Sequence, residues 1–238
     1  MKLLAAAPTP DFDVYVVRDG VRFASRESGD NLSEIYDAGY APYSGTAGVV
    51  DVFYNARNAR IVLPAFTLTS ENRRIAKKFD GQFSKERIPA HEFVADEAFY
   101  TFVLNYFRER LGPNVMPRER LELLFASGLI TTVVHYQKDG ETVGYVLEVE
   151  NGKMRHYWYS AYDLKLAKQS LGMWLMLDCI RDAQSAGTQY YYLGTVYGEK
   201  ALYKTNFAPL EWWDGASWQT DSTALKERSR KDYTTSIV

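Results

Sequence analysis

The sequence predicts an α/β protein built on a mixed, largely antiparallel sheet, with an N-terminal α/β half packed onto it. Two helical patterns run from Asp96 to Ala126, and three strand patterns joined by hairpin turns follow them. A helix that is apolar on nearly every side then leads into a tyrosine-rich strand. With 46% hydrophobic residues over 238 positions, the chain can bury a substantial core.

Taken in order, DVYVV and VRFAS flank Arg18-Asp19-Gly20, a turn whose aspartate and glycine tolerate positive φ, and so predict a hairpin. NLSEIYDAG predicts a short helix closed by Gly39. Between Val49 and Phe66, VVDVFY and RIVLPAF predict two strands around the loop NARNA. Ser70 is expected to cap a helix carrying Arg73, Arg74, Lys77 and Lys78, four cations within about a turn and a half. On charge pattern alone they are either a solvated helix face or a nucleic-acid contact. Asp96 caps DEAFYTFVLNYFRERLG, where Phe99, Phe102, Val103, Tyr106 and Phe107 recur at helical spacing until Gly112 and Pro113 stop it. A second helix spans Arg118 to Ala126 and ends at Gly128. ITTVVHYQ, ETVGYVLEVE and MRHYWYSAY, joined at Lys138-Asp139-Gly140 and Asn151-Gly152, predict an antiparallel meander. After Asp163 a loop reaches a helix beginning near Ser170, expected to lie buried between layers; Gly187 closes it and QYYYLG follows as a strand. The expected organisation is an N-terminal α/β region over 1–89, a second domain over 90–220 and a polar, basic tail over 221–238.

A net charge of -2 provides no general cationic field, so any nucleic-acid contact must come from a local basic patch. The single cysteine, Cys179, excludes an internal disulfide, and His91, His135 and His156 offer no zinc spacing. No metal or other cofactor is expected. No stretch approaches the roughly 18 apolar residues of a membrane span, and the apolar run in MKLLAAAPTP is too short for a signal-peptide core. The expectation is a reduced, soluble, cytoplasmic protein without a membrane partner.

The elements over 90–220 resemble the GCN5-related acyltransferase (GNAT) fold in their chain order. The resemblance implies that the strand before the central helix splays from the strand after it, leaving a gap for the acyl donor. It also implies that the loop ahead of that helix cradles a pyrophosphate at the helix N-terminus. CoA-dependent members usually carry Gln/Arg-x-x-Gly-x-Gly/Ala there. This chain has Gln169-Ser170-Leu171-Gly172-Met173-Trp174, in which the bulk of Trp174 is expected to keep a diphosphate off the backbone.

Three further features lie together between Ser170 and Glu211. They are Ser170-Leu171-Gly172 following Tyr162-Asp163, the strand Tyr190-Tyr191-Tyr192-Leu193-Gly194, and the spacing Lys200, Tyr203, Lys204, Phe207, Pro209, Leu210, Glu211. This stretch resembles the C-terminal half of the aminoacyl-tRNA-protein transferases, the eukaryotic arginyltransferases and bacterial aspartate/glutamate leucyltransferases. The resemblance implies transfer of arginine or leucine from aminoacyl-tRNA to the N-terminal residue of an acceptor protein, an acidic residue by preference. It implies a catalytic group of Asp163, Tyr162 and Lys204, a donor and acceptor cleft including Ser170, Leu171, Gly172, Tyr192, Lys200 and Tyr203, and tRNA contacts from Arg73, Arg74, Lys77 and Lys78.

An aminoacyl ester is already activated, so the reaction needs alignment, removal of a proton and stabilisation of an oxyanion. Asp163 either holds or deprotonates the attacking ammonium, or caps the next turn. Tyr162 and Tyr192 are candidate donors to the reacting carbonyl, with core packing the competing role for Tyr192. Lys204 binds the acidic acceptor residue or a terminal tRNA phosphate, or, read as a lone lysine, is solvated. The chain departs from the family at Asn206, where arginine is common, and at Val50, Phe53 and Ala56, which replace a cysteine cluster. Two other functions remain open on sequence: a CoA-dependent N-acyltransferase, and a non-catalytic module binding protein N-termini or RNA.

Overall fold

The computed structural model describes residues 1–13 and 21–232. The expected turn at Arg18-Asp19-Gly20, most of the strand before it and the end of the tail lie outside the described residues. Four short strands, β1 (Lys2–Leu3), β2 (Arg22–Ser25), β3 (Tyr40–Pro42) and β4 (Val52–Asn55), form a small sheet in the order β1-β2-β4-β3. The large sheet contains β5 (Asn58–Val62), β6 (Ser84–Pro89), β7 (Thr132–Lys138), β8 (Glu141–Asn151), β9 (Met154–Tyr162), β10 (Tyr190–Thr195), β11 (Leu210–Trp213) and β12 (Trp218–Gln219). Its order is β12-β11-β5-β10-β9-β8-β7-β6. Within it β9 and β10 pair in parallel, and the other described neighbours pair antiparallel. This is the mixed, largely antiparallel sheet expected.

The chain before residue 90 does more than pack on this sheet. β4 and β5 are separated by only Ala56 and Arg57, yet they enter different sheets, and β5 lies between β10 and β11. Asn58, Ala59, Arg60 and Ile61 are all buried, as a strand covered on both faces requires.

The helices are α1 (Leu32–Asp37), α2 (Ser70–Phe79), α3 (Glu97–Leu111), α4 (Arg118–Ala126), α5 (Leu171–Ser185) and α6 (Ser222–Arg230). Asp96 caps α3 as expected, its carboxylate accepting from the Phe99 amide at 2.8 Å. The cap of α2 is Thr69, one residue before the expected Ser70. Thr69 Oγ1 accepts from the Asn72 amide, and Asn72 Oδ1 accepts from the Thr69 amide, both at 3.1 Å. That reciprocal pair satisfies two amides at once, which Ser70 alone does not do. The tail docks over its described residues. Asp221 caps α6, Leu225 and Ser229 are buried, and beyond the helix Asp232 forms a bidentate ion pair with Arg57 at 2.7 and 3.1 Å. One apolar residue and two polar anchors suffice to dock a segment whose composition reads as solvated.

Strand alternation distributes the core between the two faces of the large sheet. α2 and α5 cover one face, through Val134, Tyr136, Val146 and Tyr191. α3 and α4 cover the other through Val133, Tyr145 and Leu147, beside α1 and the small sheet, which pack on Val149, Met154 and Tyr192. The parallel pairing of β9 and β10 is confined to Met154–Tyr190, Arg155–Tyr191 and His156–Tyr192. Beyond these pairs β9 continues along β8 while β10 follows β5 through a bulge between Tyr192 and Gly194. A second bulge, between Leu147 and Glu148, leaves Trp158 as an extra residue on β9. The two strands therefore part, and the gap between them positions the site.

Candidate active site

A cavity of about 250 Å³ opens where β9 and β10 separate, on the face covered by α3, α4 and the small sheet. One wall is His156, Trp158 and Tyr159 of β9, and another is Leu193, Gly194 and Thr195 of β10. Gly194 holds φ +76°, a left-handed conformation that glycine adopts without the cost a side chain would add. A Cβ at this position would lie 3.5 Å from His156 Nε2 and 3.7 Å from Lys204 Nζ, so both nitrogens converge on the same point of backbone.

Lys204 belongs to the 3₁₀ segment Glu199–Asn206 and is only 9% exposed. Its Nζ donates to the Thr195 carbonyl at 2.7 Å, and among the described residues it has no carboxylate partner. Burial without a counter-charge lowers its pKa from the usual lysine range to about 7. An appreciable fraction is therefore the neutral amine near neutral pH, able to accept a proton. His156 is equally buried, and Tyr36 Oη lies 2.9 Å from its Nδ1. Desolvation, with the nearby Lys204 adding to it, lowers the His156 pKa to about 3, which keeps the imidazole neutral.

The 3₁₀ segment is held from the other side by α2. Thr69 Oγ1 and Asn72 Nδ2 both donate to the Asn206 carbonyl, at 3.2 and 3.3 Å. Asn206 thus acts here through its backbone. The basic helix therefore begins against the segment that carries Lys204.

Of the residues the sequence nominated, Lys204 lines this cavity and the others lie elsewhere. Tyr192 points to the α1 side of the core, where its hydroxyl accepts from Arg60 Nη1 at 3.1 Å and its ring meets Tyr36. Asp163 caps the 3₁₀ turn Leu164–Gln169 through the Lys165 amide at 2.9 Å, the turn-capping role considered for it. Ser170 takes φ +73° and makes no side-chain cap, Leu171 is fully buried core, and Lys200 is exposed. Tyr203 is 41% exposed beside Lys204, with its ring 5.9 Å from Nζ. Arg73, Arg74, Lys77 and Lys78 are exposed on α2, which covers the opposite face of the sheet, and Arg74 is paired with Glu71 at 2.7 Å. Sequence reasoning missed His156, Gly194 as a contact point, Thr195 and Arg120, another lining residue. His156, a lone histidine among the aromatics of β9, was the one available signal.

The acetyltransferase (GNAT) domain profile matches residues 69–205, more than half of the chain. The chain belongs to the acetyltransferase (GNAT) domain family. An aspartate/glutamate leucyltransferase of Cereibacter sphaeroides is 44% identical over 63 residues, 26% of this chain and 22% of that protein. One from Chromobacterium violaceum is 30% identical over 103 residues, 42% of each chain. This chain thus spans well under two thirds of the curated relatives it matches, and over those segments the resemblance read from the sequence is borne out. Among solved structures, the C-terminal domain of a putative lysylphosphatidylglycerol synthetase from Agrobacterium fabrum overlaps loosely. Its TM-score is 0.45 at 14% identity, covering 74% of this chain and 54% of that one.

The pyrophosphate cradle expected of a GNAT domain is filled by a side chain here. A Cβ on Gly172 would lie 2.7–2.8 Å from the Tyr162 ring, so that ring covers the N-terminus of α5. Tyr106 of α3 backs it, with the two rings 4.8 Å apart. Trp174, expected to be the obstacle, points away. It packs against Phe79, Phe83 and Tyr136, and its Nε1 donates to Asp80 at 2.8 Å. The obstruction at the cradle comes from β9 rather than from the motif.

Proposed function

We propose that this GNAT-family chain is a tRNA-dependent aminoacyltransferase that moves leucine or arginine from aminoacyl-tRNA to the N-terminal residue, an acidic one, of acceptor proteins. The names of the similar leucyltransferases favour leucine. The observation that carries the reading is a buried, uncompensated Lys204 at the mouth of the strand gap, beside a neutral His156. In the reaction the neutral α-amine attacks the ester carbonyl, and a C–N bond forms. Lys204 takes the proton released from that nitrogen, then returns it to the ribose oxygen as the C–O ester bond breaks. A base with a pKa near the working pH suits both transfers. Positioning two reactants in the gap supplies much of the remaining acceleration. The covered α5 terminus speaks for a donor other than CoA.

The exposed cations Arg73, Arg74, Lys77 and Lys78 supply the tRNA contact in this reading, since α2 abuts the Lys204 segment. No helix among the described residues is long and apolar enough to cross a membrane. Because this reading takes charged tRNA as the donor, it takes the activity to be cytoplasmic. The test is incubation with radiolabelled leucyl-tRNA, arginyl-tRNA or acetyl-CoA and a peptide beginning with aspartate. The expected result is label on the peptide from a charged tRNA, lost on prior ribonuclease treatment. Label from acetyl-CoA alone, or from none of the three, overturns the reading.

A further inference from the structure

Arg120 of α4 lines the same cavity at 6% exposure, and no carboxylate pairs with it among the described residues. Nη1 donates to the Asp13 carbonyl at 3.3 Å and to the Val115 carbonyl, and Nη2 donates to Ser44 Oγ at 3.0 Å and Tyr159 Oη at 3.4 Å. Nε is buried without any partner. A guanidinium does not lose its proton in a protein, so this is a permanent charge met among the described residues by neutral oxygens and by the Phe12 ring, 5.6 Å from its Cζ. Such a buried charge is costly unless something negative joins it. Among the described residues, the other buried guanidinia are treated differently. Arg57 pairs with Asp232, and Arg60 with Asp37 and Glu211.

We propose that Arg120 reads the side-chain carboxylate of the acceptor's first residue; this rests on the transferase reading and names the residue that sets its acceptor class. Nε makes no hydrogen bond but is enclosed by protein, so an anion meets the guanidinium on its Nη2 side, at the Ser44 and Tyr159 hydroxyls. These lie 2.7 Å apart and share one proton, which leaves the other free to turn toward the anion while both accept from the guanidinium. The one acidic lining residue, Asp13, meets Arg120 through its backbone carbonyl, leaving the guanidinium without a carboxylate. Arg120 and Lys204 line one cavity, and the bulge at Trp158 brings Tyr159, a partner of Arg120, onto the same wall as His156. A nucleotide phosphate is the competing occupant, and the titration below separates the two.

The test uses the full chain without tRNA, titrated with free-amine peptides that differ only in beginning with aspartate or asparagine. Trp158 in the cavity wall provides intrinsic fluorescence, and calorimetry provides the second readout. The wild type is expected to prefer aspartate about 10- to 100-fold, the range for a hydrogen-bonded charged group. Arg120→Gln should bring that ratio close to one, and Arg120→Lys should keep part of it; using a ratio cancels any general loss of folded protein. If neither variant folds, the wild-type ratio decides: equal affinity for the two peptides overturns the assignment. Competition by adenosine 3′-monophosphate that disappears in Arg120→Gln, with no aspartate preference, also overturns it in favour of a tRNA phosphate. Aspartate preference retained by a protein that transfers from no charged tRNA would sink the transferase reading while leaving Arg120 assigned.

Discussion

Lys204 should make stability depend on pH in a way that an apolar replacement does not. Burial holds its pKa at about 7 in the folded chain, against about 10.4 for a lysine exposed in the unfolded chain. Below both values each state carries the proton, and the folded state bears the full cost of a buried charge. Between them the unfolded state binds a proton that the folded state has released, so stability rises with pH; above both the difference is gone. Raising the pH from 7 to 9 covers part of that window, and linkage gives a gain of about 2 kcal/mol from this one group. Lys204→Met preserves the unbranched apolar stem and removes the titration. Urea unfolding of both proteins at the two pH values isolates the difference, since other groups titrate in common. The wild type should gain about 2 kcal/mol more than the variant. Parallel pH dependences would refute the buried, uncompensated lysine and with it the proton acceptor. In the transfer assay the same variant should fall by about 100-fold or more, the usual weight of a general base.

Gly172→Ala should destabilise by about 1–3 kcal/mol in chemical unfolding, because its methyl would meet the Tyr162 ring at 2.7–2.8 Å. In a Tyr162→Ala background the same change should turn stabilising by up to about 1 kcal/mol, the helical preference of alanine over glycine; an unchanged sign would show that Tyr162 does not cover the helix terminus. Arg73→Glu with Lys77→Glu should abolish detectable tRNA binding at about 0.15 M salt with little change in melting temperature, and single losses should each lower the logarithmic salt slope by about one. Filter binding with an unaltered slope would move the tRNA surface to Lys226, Arg228, Arg230 and Lys231. Asp232→Ala leaves Arg57, 7% exposed, without its carboxylate and should cost about 3–5 kcal/mol. Because Asp232 also accepts from the Gly198 amide at 2.9 Å, hydrogen exchange in the loop after β10 should rise with it; protection unchanged there would show that α6 does not brace that loop.

Local chemistry made most elements of the second half legible. The turns at Asp139-Gly140 and Asn151-Gly152 and the apolar spacing in α3 act over a few residues, so β7 to β9 and α3 to α5 can be read without knowing what they touch. Matched spacing alone raised Lys204, and the cavity contains it. Elsewhere the outcome depended on partners far along the chain. The choice between Thr69 and Ser70 turned on Asn72 reaching back, and α6 was fixed by Arg57 meeting Asp232. The role of Trp174 turned on Phe79, Phe83 and Asp80 of the α2 end.

Fold class, element order and family resemblance can be read from the chain, because periodicity, turn residues and motif spacing are properties of neighbouring positions. Where the chemistry sits depends on packing. Arg120 meets Asp13, Ser44 and Tyr159 across separations of 107, 76 and 39 residues, and no local pattern encodes such a meeting. Gly194 brings His156 and Lys204 together only because β9 and β10 part after three pairs. The lowered pKa of Lys204 is likewise a property of its surroundings, since desolvation depends on what excludes water from the side chain and not on the lysine itself.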